Sequence, residues 1–199
     1  MIRIAVVVEG YGDVQAMPVL IGKIGGKLGK TIVSSDPIRA GEWPILKKIG
    51  KLERCLDLAA SREPDVILVA LDLDDGCPVN EGVQFQGRVD AWLAGRMIPV
   101  ASVFLTREYE TMFLHCPVSL GHFDPAAIPA QPNNIRGAKE RIRDLIGRRY
   151  RETQDQKAFT AKLDMNILYR ESRPFRRMCK AVSGMPYNEL NPHFGIVAP

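Results

Sequence analysis

The sequence lacks the features that would place it in a membrane or outside the cell. None of its apolar runs approaches the roughly 20 residues that a membrane-spanning helix requires. It has only four cysteines, which lie far apart and form no CxxC pair. The first residues lead into a strand-like segment that Glu9 interrupts, so we expect no signal peptide. These absences predict a cytoplasmic protein with reduced thiols and no membrane association.

Acidic and basic residues are unevenly distributed along a chain whose net charge is +4. Residues 1–135 contain 13 Lys and Arg against 16 Asp and Glu, a net charge of −3. Residues 136–199 contain 14 against 7, a net charge of +7. A basic end of this kind indicates a polyanion as partner. The alternative is a solvated helical surface that binds nothing.

Short apolar segments alternate with helical patterns in the first part of the chain. Segments rich in β-branched residues predict strands at 2–9, 31–34, 66–72 and 99–105. Helical spacing of apolar residues predicts helices at 13–29, 44–61, 82–93 and 108–114. This alternating order predicts an α/β fold with a Rossmann-like, mostly parallel sheet of about four strands and helices on both faces.

The last third of the chain has a different composition. Prolines and asparagines make residues 121–135 a long connection. Basic residues are dense on the helices predicted at 136–151 and 155–182. We therefore divide the chain into an α/β core at 1–120 and, at 121–199, a connection with a basic helical extension that packs on the core.

Two of the predicted strands end in acidic residues. Glu9-Gly10 follows the first apolar run, and Asp72-Leu73-Asp74 follows the third. The carboxyl ends of parallel strands meet at one edge of the sheet, where ligands bind, and residues two apart in a strand point the same way. Carboxylates that share one place repel each other unless a cation neutralises them. The pattern therefore predicts a Mg²⁺ site formed by Glu9, Asp72 and Asp74.

Further carboxylates can contribute to the same edge. Asp13 falls in the first turn of the helix predicted at 13–29, where its alternative role is to cap the helix. Glu108 and Glu110 follow the fourth strand, and either can reach the site. The alternative for both glutamates is a solvated helix start, which acidic residues favour. The sequence does not choose between them.

In this order, Glu9-Gly10 and Asp72-x-Asp74 resemble the TOPRIM domain of topoisomerases, bacterial primases and the overcoming-lysogenization-defect nucleases. The resemblance covers residues 1 to about 115. It implies phosphodiester chemistry on DNA, with Glu9 as the acid–base group and with Asp72 and Asp74 as ligands of Mg²⁺. Mn²⁺ can take the same place, because both ions suit carboxylate ligands.

A closer resemblance is to the small stand-alone TOPRIM-like proteins of domain-of-unknown-function family 4276. It extends to about residue 180 and rests on four segments: Val8-Glu9-Gly10-Tyr11-Gly12-Asp13, Arg107-Glu108-Tyr109-Glu110, residues 157–164 and residues 172–175. The resemblance implies an ATPase partner encoded nearby, in a defence or repair system. It does not indicate an oligomeric state.

The nuclease relatives also imply further site residues. By position these are Glu110 as a metal ligand and Lys157 as a catalytic residue. Asp13 is a metal-ligand candidate too, although it stands where relatives of this type often have glutamate. Its shorter side chain places it below Glu9, Asp72 and Asp74.

The predicted function is Mg²⁺-dependent cleavage or nicking of DNA, with the basic extension holding the backbone without reading sequence. The candidate DNA-binding residues are Arg148, Arg149, Lys162, Arg176 and Arg177. Two alternatives remain. Asp72-Leu73-Asp74 also resembles the nucleophile motif of haloacid-dehalogenase-like phosphatases, although that motif belongs on the first strand. The other alternative is a non-catalytic TOPRIM-like module that docks on an ATPase.

Overall fold

The computed structural model describes residues 1–121 and 125–196. In these ranges five strands form one sheet: β1 (Ile2–Val8), β2 (Ile32–Ser34), β3 (Ile38–Arg39), β4 (Val66–Leu73) and β5 (Val100–Thr106). The strand order is β2-β1-β4-β5, and β3 pairs with β1 beyond the end of β2. Each of these pairings is parallel. The predicted α/β fold with a mostly parallel sheet is confirmed, and β3 is a strand that the sequence did not predict.

Helices cover both faces of the sheet. The first five are α1 (Tyr11–Leu28), α2 (Trp43–Leu46), α3 (Lys51–Ala60), α4 (Pro78–Trp92) and α5 (Thr111–His115). The next five are α6 (Ala138–Ile146), α7 (Lys157–Lys162), α8 (Met165–Glu171), α9 (Arg173–Ser183) and α10 (Tyr187–His193). A π-helical turn, Glu152–Gln156, leads into α7. Across the described ranges, no helix has the length and apolarity that a membrane crossing requires.

Side-chain alternation along the strands produces two buried apolar layers. Val6 of β1 and Ala70 of β4 belong to the layer that contains α1 and the C-terminal helices. Val7 and Val69 belong to the opposite layer, with α2, α3 and α4. The strands are apolar on both faces because helices cover both. Asp72 lies two residues after Ala70, so the same period directs its side chain toward the α1 layer.

Two of the predicted helices are interrupted. Gly50 has a φ of 74°, in the left-handed region that favours glycine, and it separates α2 from α3 where one helix over 44–61 was predicted. Ile49, which the helical spacing placed on the apolar face, is 99% exposed. The helix predicted over 155–182 is three helices, because Asp164 and Ser172 each accept backbone N–H hydrogen bonds and begin a new helix.

The basic extension shares its hydrophobic core with the α/β region. Phe175 and Met178 of α9 are fully buried in the same apolar cluster as Leu20 and Ile24 of α1. α9 also contacts the sheet directly, since Arg177 Nε donates to the Ser102 carbonyl of β5 at 2.8 Å. The extension therefore forms part of the layer that carries α1 and Asp72.

Candidate functional site

Acidic side chains from distant parts of the chain line one small pocket at the carboxyl edge of the sheet. They are Glu9, Asp13, Asp72, Glu110 and Glu152. Lys139 of α6 and Gln156 of the π-helical turn complete the wall. The pocket encloses about 30 Å³, more than the roughly 10–15 Å³ that one water molecule requires. It therefore has room for a water molecule or a small cation.

The sheet register explains why the strand exits converge. Val8 pairs with Ala70, so Glu9 follows β1 beside the last residues of β4. Asp72 in turn pairs with Leu105 of β5. Parallel strands in this register deliver the segments that follow β1 and β5 to either side of Asp72.

Asp72 carries a buried oxygen without a partner. Its Oδ1 is shielded from solvent and accepts no hydrogen bond from any described residue. Burial raises the pKa of Asp72 well above its usual value, and the charges of Asp13 and Glu110 raise it further. A buried, unpartnered carboxylate oxygen is costly, and in a native protein it indicates a proton, a water or an ion at that position.

Asp13 serves both as a helix cap and as a wall of the pocket. Its Oδ2 accepts the N–H of Gly10 at 2.9 Å, and its Oδ1 accepts the Nε2–H of Gln156 at 2.7 Å. The capping role given as the alternative in the sequence is therefore present. Burial raises the pKa of Asp13, and the bonds from Gly10 and Gln156 oppose that rise.

Gly12 allows the π-helical turn to approach α1 closely. A Cβ atom at Gly12 would lie 1.8 Å from Gln156 Oε1, a distance that no side chain tolerates. The glycine is thus required by the packing that brings Gln156 to Asp13. π-Helical turns are rare and are frequently found at functional sites.

Glu9 lies partly buried at the exit of β1. Burial raises its pKa to about 7, assisted by the negative charges of Asp13, Glu42 and Asp74, while a backbone hydrogen bond from Asp72 opposes the rise. A carboxyl group with a pKa near neutrality exchanges protons readily at physiological pH, which general acid–base catalysis requires.

Of the two glutamates after β5, Glu110 belongs to the pocket. It is 1% exposed, and its Oε1 accepts the Tyr150 hydroxyl hydrogen bond at 3.0 Å. Burial raises its pKa to about 8, although Lys139 opposes the rise. Glu108 instead accepts the backbone N–H of Ala138 at 3.2 Å and lines a separate pocket.

Asp74 and Lys157 do not line the acidic pocket. β4 ends at Leu73, so the two-residue period stops before Asp74, which is exposed in the following loop. Its charge nevertheless acts on Glu9. Lys157 is exposed at the start of α7.

The lysine in the pocket is Lys139, which sequence reasoning missed. Its Nζ lies 3.0 Å from Glu152 Oε1. Burial alone would lower the pKa of Lys139, but the carboxylates of Glu110 and Glu152 raise it above its usual value. No spacing in the sequence connects these residues or Gln156 to Asp72, because they meet only through tertiary packing.

Three of the five predicted DNA-binding residues are engaged within the protein. Arg148 binds Asp155 through two hydrogen bonds, at 2.8 and 3.0 Å. Arg176 Nη1 donates to the carbonyls at the end of α8, at 2.9 Å to Tyr169 and 2.7 Å to Arg170. Arg177 donates to β5, as described above. Arg149 and Lys162 are exposed.

The donor atoms of the pocket are of the type that binds divalent cations, but their positions do not form a complete set of metal ligands. Within residues 1–121 and 125–196, no three His, Cys, Asp or Glu side chains already have the spacing of a metal site. Carboxylate oxygens are nonetheless the ligands that Mg²⁺ and Mn²⁺ prefer. The unpartnered Oδ1 of Asp72 and the raised pKa values of Asp72 and Glu110 show that these carboxylates lack enough positive partners to stay ionised, so a proton or a cation would neutralise them.

The protein is thus an α/β protein with a parallel sheet and an acidic pocket at the carboxyl edge of that sheet. No protein-family model matches the chain, and no curated protein or solved structure is significantly similar to it.

Proposed function

We propose that this protein is a TOPRIM-like, Mg²⁺-dependent enzyme that cleaves or nicks DNA. The observation that carries the proposal is that Glu9, Asp72 and Glu110, from the ends of three neighbouring strands, line one pocket. In that pocket Asp72 has a buried oxygen without a hydrogen-bond partner. Each of the three has a pKa above its usual value, because burial and neighbouring negative charge disfavour ionisation. A divalent cation would relieve that repulsion.

The residues divide by position into ligands and a proton carrier. Asp72 and Glu110 would hold the cation, and Asp74 would act from the loop outside the pocket wall through its charge on Glu9. Bound Mg²⁺ would polarise a phosphate and lower the pKa of water. Glu9, with a pKa of about 7, would accept the proton of the attacking water. Lys139, which already faces the carboxylates, is the pocket's own cation and takes the place expected of Lys157.

The test is cleavage of supercoiled plasmid by the purified protein with Mg²⁺ or Mn²⁺, alone and together with the ATPase partner that the resemblance implies. Metal-dependent conversion to nicked or linear DNA, lost in Asp72→Asn, supports the proposal. Asp65→Asn is a matched control, because Asp65 is an exposed aspartate at the opposite, amino end of β4. Cleavage that survives Asp72→Asn, or that no metal supports, contradicts the assignment.

A non-catalytic module that docks on an ATPase is the second candidate. It is favoured by Asp13, whose two oxygens are both used in internal hydrogen bonds, and by the position of Asp74 outside the pocket wall. Such a module would bind the ATPase equally well with Glu9 or Asp72 neutralised. Among residues 1–121 and 125–196 no contact favours the phosphatase alternative, which a trapped aspartyl-phosphate would reveal.

A further inference from the structure

Two arginines converge on one carboxylate beside the acidic pocket. Asp75, in the loop after β4, accepts a hydrogen bond from Arg107 Nη1 at 3.1 Å. Arg136, from the connection before α6, binds both oxygens of Asp75, with its Nη1 3.2 Å from Oδ2 and its Nη2 donating to Oδ1. We call these three residues the arginine bridge. It joins three separate segments of the chain at the carboxyl edge of the sheet.

The arginine bridge adjoins Asp74, in the loop that follows β4 and Asp72. Arg107 also donates to the carbonyl of Asp74. The negative charge of Asp74 raises the pKa of Glu9 in the pocket and contributes to the raised pKa of Arg136 in the bridge. The bridge thus places two guanidinium groups at the same edge of the sheet as carboxylates that would otherwise repel a polyanion.

The backbone at Arg107 is held in an unfavourable conformation. Its φ is 67°, and within the described ranges only Glu63 shares a positive φ among residues other than glycine. The left-handed region is disfavoured for a side chain as large as arginine. Asp75 is 67% exposed, and an ion pair with an exposed group offsets little of that cost. Conformations of this kind cluster at ligand sites, which indicates a function for the position of the guanidinium.

We propose that Asp75 occupies the place that a backbone phosphate of the nucleic acid takes between Arg107 and Arg136. The inference rests on the proposed function, for which it identifies the contact that aligns the substrate. Guanidinium groups bind carboxylate and phosphate with the same forked geometry. A phosphate entering the bridge displaces Asp75 into solvent, and the next phosphodiester along the strand is then delivered to the acidic pocket.

The test is binding of a fluorescently labelled DNA duplex in EDTA, measured over a range of salt concentrations so that no cleavage occurs. Asp75→Asn frees both arginines, so we expect binding about two- to fivefold tighter, the size of an exposed ion pair. The slope of log K against log salt should steepen by up to about 0.9 for one additional phosphate. Arg136→Ala should weaken binding and reduce the slope by about 0.9.

Two controls separate a freed phosphate site from a general loss of negative charge. Asp65→Asn removes the same charge from an exposed ion pair with Arg3 at the other end of β4, and it should leave the affinity unchanged. In the double variant Asp75→Asn, Arg136→Ala the gain from Asp75→Asn should disappear. A gain equal to that of Asp65→Asn, or one that persists without Arg136, overturns the proposal.

A third measurement distinguishes nucleic acid from free phosphate. If inorganic phosphate at millimolar concentration binds the Asp75→Asn protein while the duplex does not, the assignment to a nucleic-acid backbone is wrong. All of these measurements are made without metal, so their failure leaves the cleavage proposal standing. Conversely, a protein that never cleaves can still show the predicted exchange.

Discussion

Replacing Glu110 with glutamine is expected to stabilise the metal-free protein at neutral pH. Glu110 is buried and its pKa is raised from 4.5 to about 8, so folding forces it to keep a proton that the unfolded chain releases. Glutamine is the neutral analogue of that protonated group. Its amide oxygen can still accept the Tyr150 hydrogen bond. The substitution therefore removes the cost of keeping Glu110 protonated and leaves the Tyr150 hydroxyl paired.

The magnitude follows from the pKa difference between the folded and unfolded states. A pH of 7 is about 2.5 units above the ordinary pKa of 4.5, so the carboxyl of Glu110 is ionised in the unfolded chain. At about 1.36 kcal/mol per unit, keeping the proton in the folded state costs on the order of 3 kcal/mol. Asp13 and Asp72 share the same repulsion, so we expect a gain of about 1–3 kcal/mol in the free energy of unfolding. For a chain of this size that corresponds to roughly 2–12 °C in Tm.

The pH dependence has a definite sign. Because the folded pKa is the higher one, the destabilising contribution is absent below about pH 4.5 and grows as the pH rises toward 8. The advantage of Glu110→Gln over wild type should therefore be small at pH 4.5 and largest at pH 8 and above. Urea denaturation in EDTA at a series of pH values measures this difference directly.

Glu108→Gln is the matched control for this experiment. Glu108 lies two residues away on the same segment but outside the acidic pocket, and a glutamine there can still accept the Ala138 N–H. Glu108→Gln should not reproduce the gain in stability that Glu110→Gln shows as the pH rises. A Glu110→Gln protein that is less stable than wild type at pH 7, or that keeps the wild-type pH dependence, would refute the reasoning.

Four further outcomes are expected. Mg²⁺ should raise the Tm of the wild-type protein, with about 2.7 kcal/mol gained at 100 times Kd, and Asp72→Asn should abolish the rise in a thermal scan. Glu9→Gln should slow plasmid nicking on the order of 10²–10⁴-fold, with unchanged DNA affinity on the same preparation; equal rates would exclude Glu9 as the base. Changing Arg149 and Lys162 together to alanine should lower the salt slope of DNA binding by up to about 1.8, and an unchanged slope would make them solvated surface residues. Gly12→Ala should cost about 1–3 kcal/mol in urea denaturation, because the added methyl group meets the π-helical turn.

The sequence predicted the strand exits well because their signals are local. Buried parallel strands are continuous apolar runs, and an acidic residue at the end of such a run is conspicuous. These signals identified Glu9 and Asp72, and they offered Glu110 together with Glu108 as the next candidates. The same local reasoning wrongly extended the strand to Asp74. β4 ends at Leu73, and the alternation of side chains ends with it.

The rest of the site could not be read from the sequence, because it forms only when the extension packs on α1. Lys139 and Gln156 belong to a segment whose basic composition suggested a DNA-binding surface. Their positions depend on the absence of a side chain at Gly12, and a single glycine in a helix gives no indication of what packs against it. The helix breaks at Asp164 and Ser172 were missed, although both residues are of types that favour the N-cap position.

The positive charge of the extension is partly directed inward. Lys139 binds Glu152 in the acidic pocket, Arg136 binds Asp75 in the loop after β4, and Arg148 binds Asp155 within the π-helical turn. These cations stabilise the arrangement of an acidic site and of the turn beside it. Each of them must release its carboxylate partner before it can contact DNA. The net charge of +7 over residues 136–199 therefore overstates the number of phosphates that the resting protein can neutralise. The same segment supplies both the wall of the pocket and the exposed arginines and lysines, so a polyanion that bound the extension would contact the segment that shapes the acidic site.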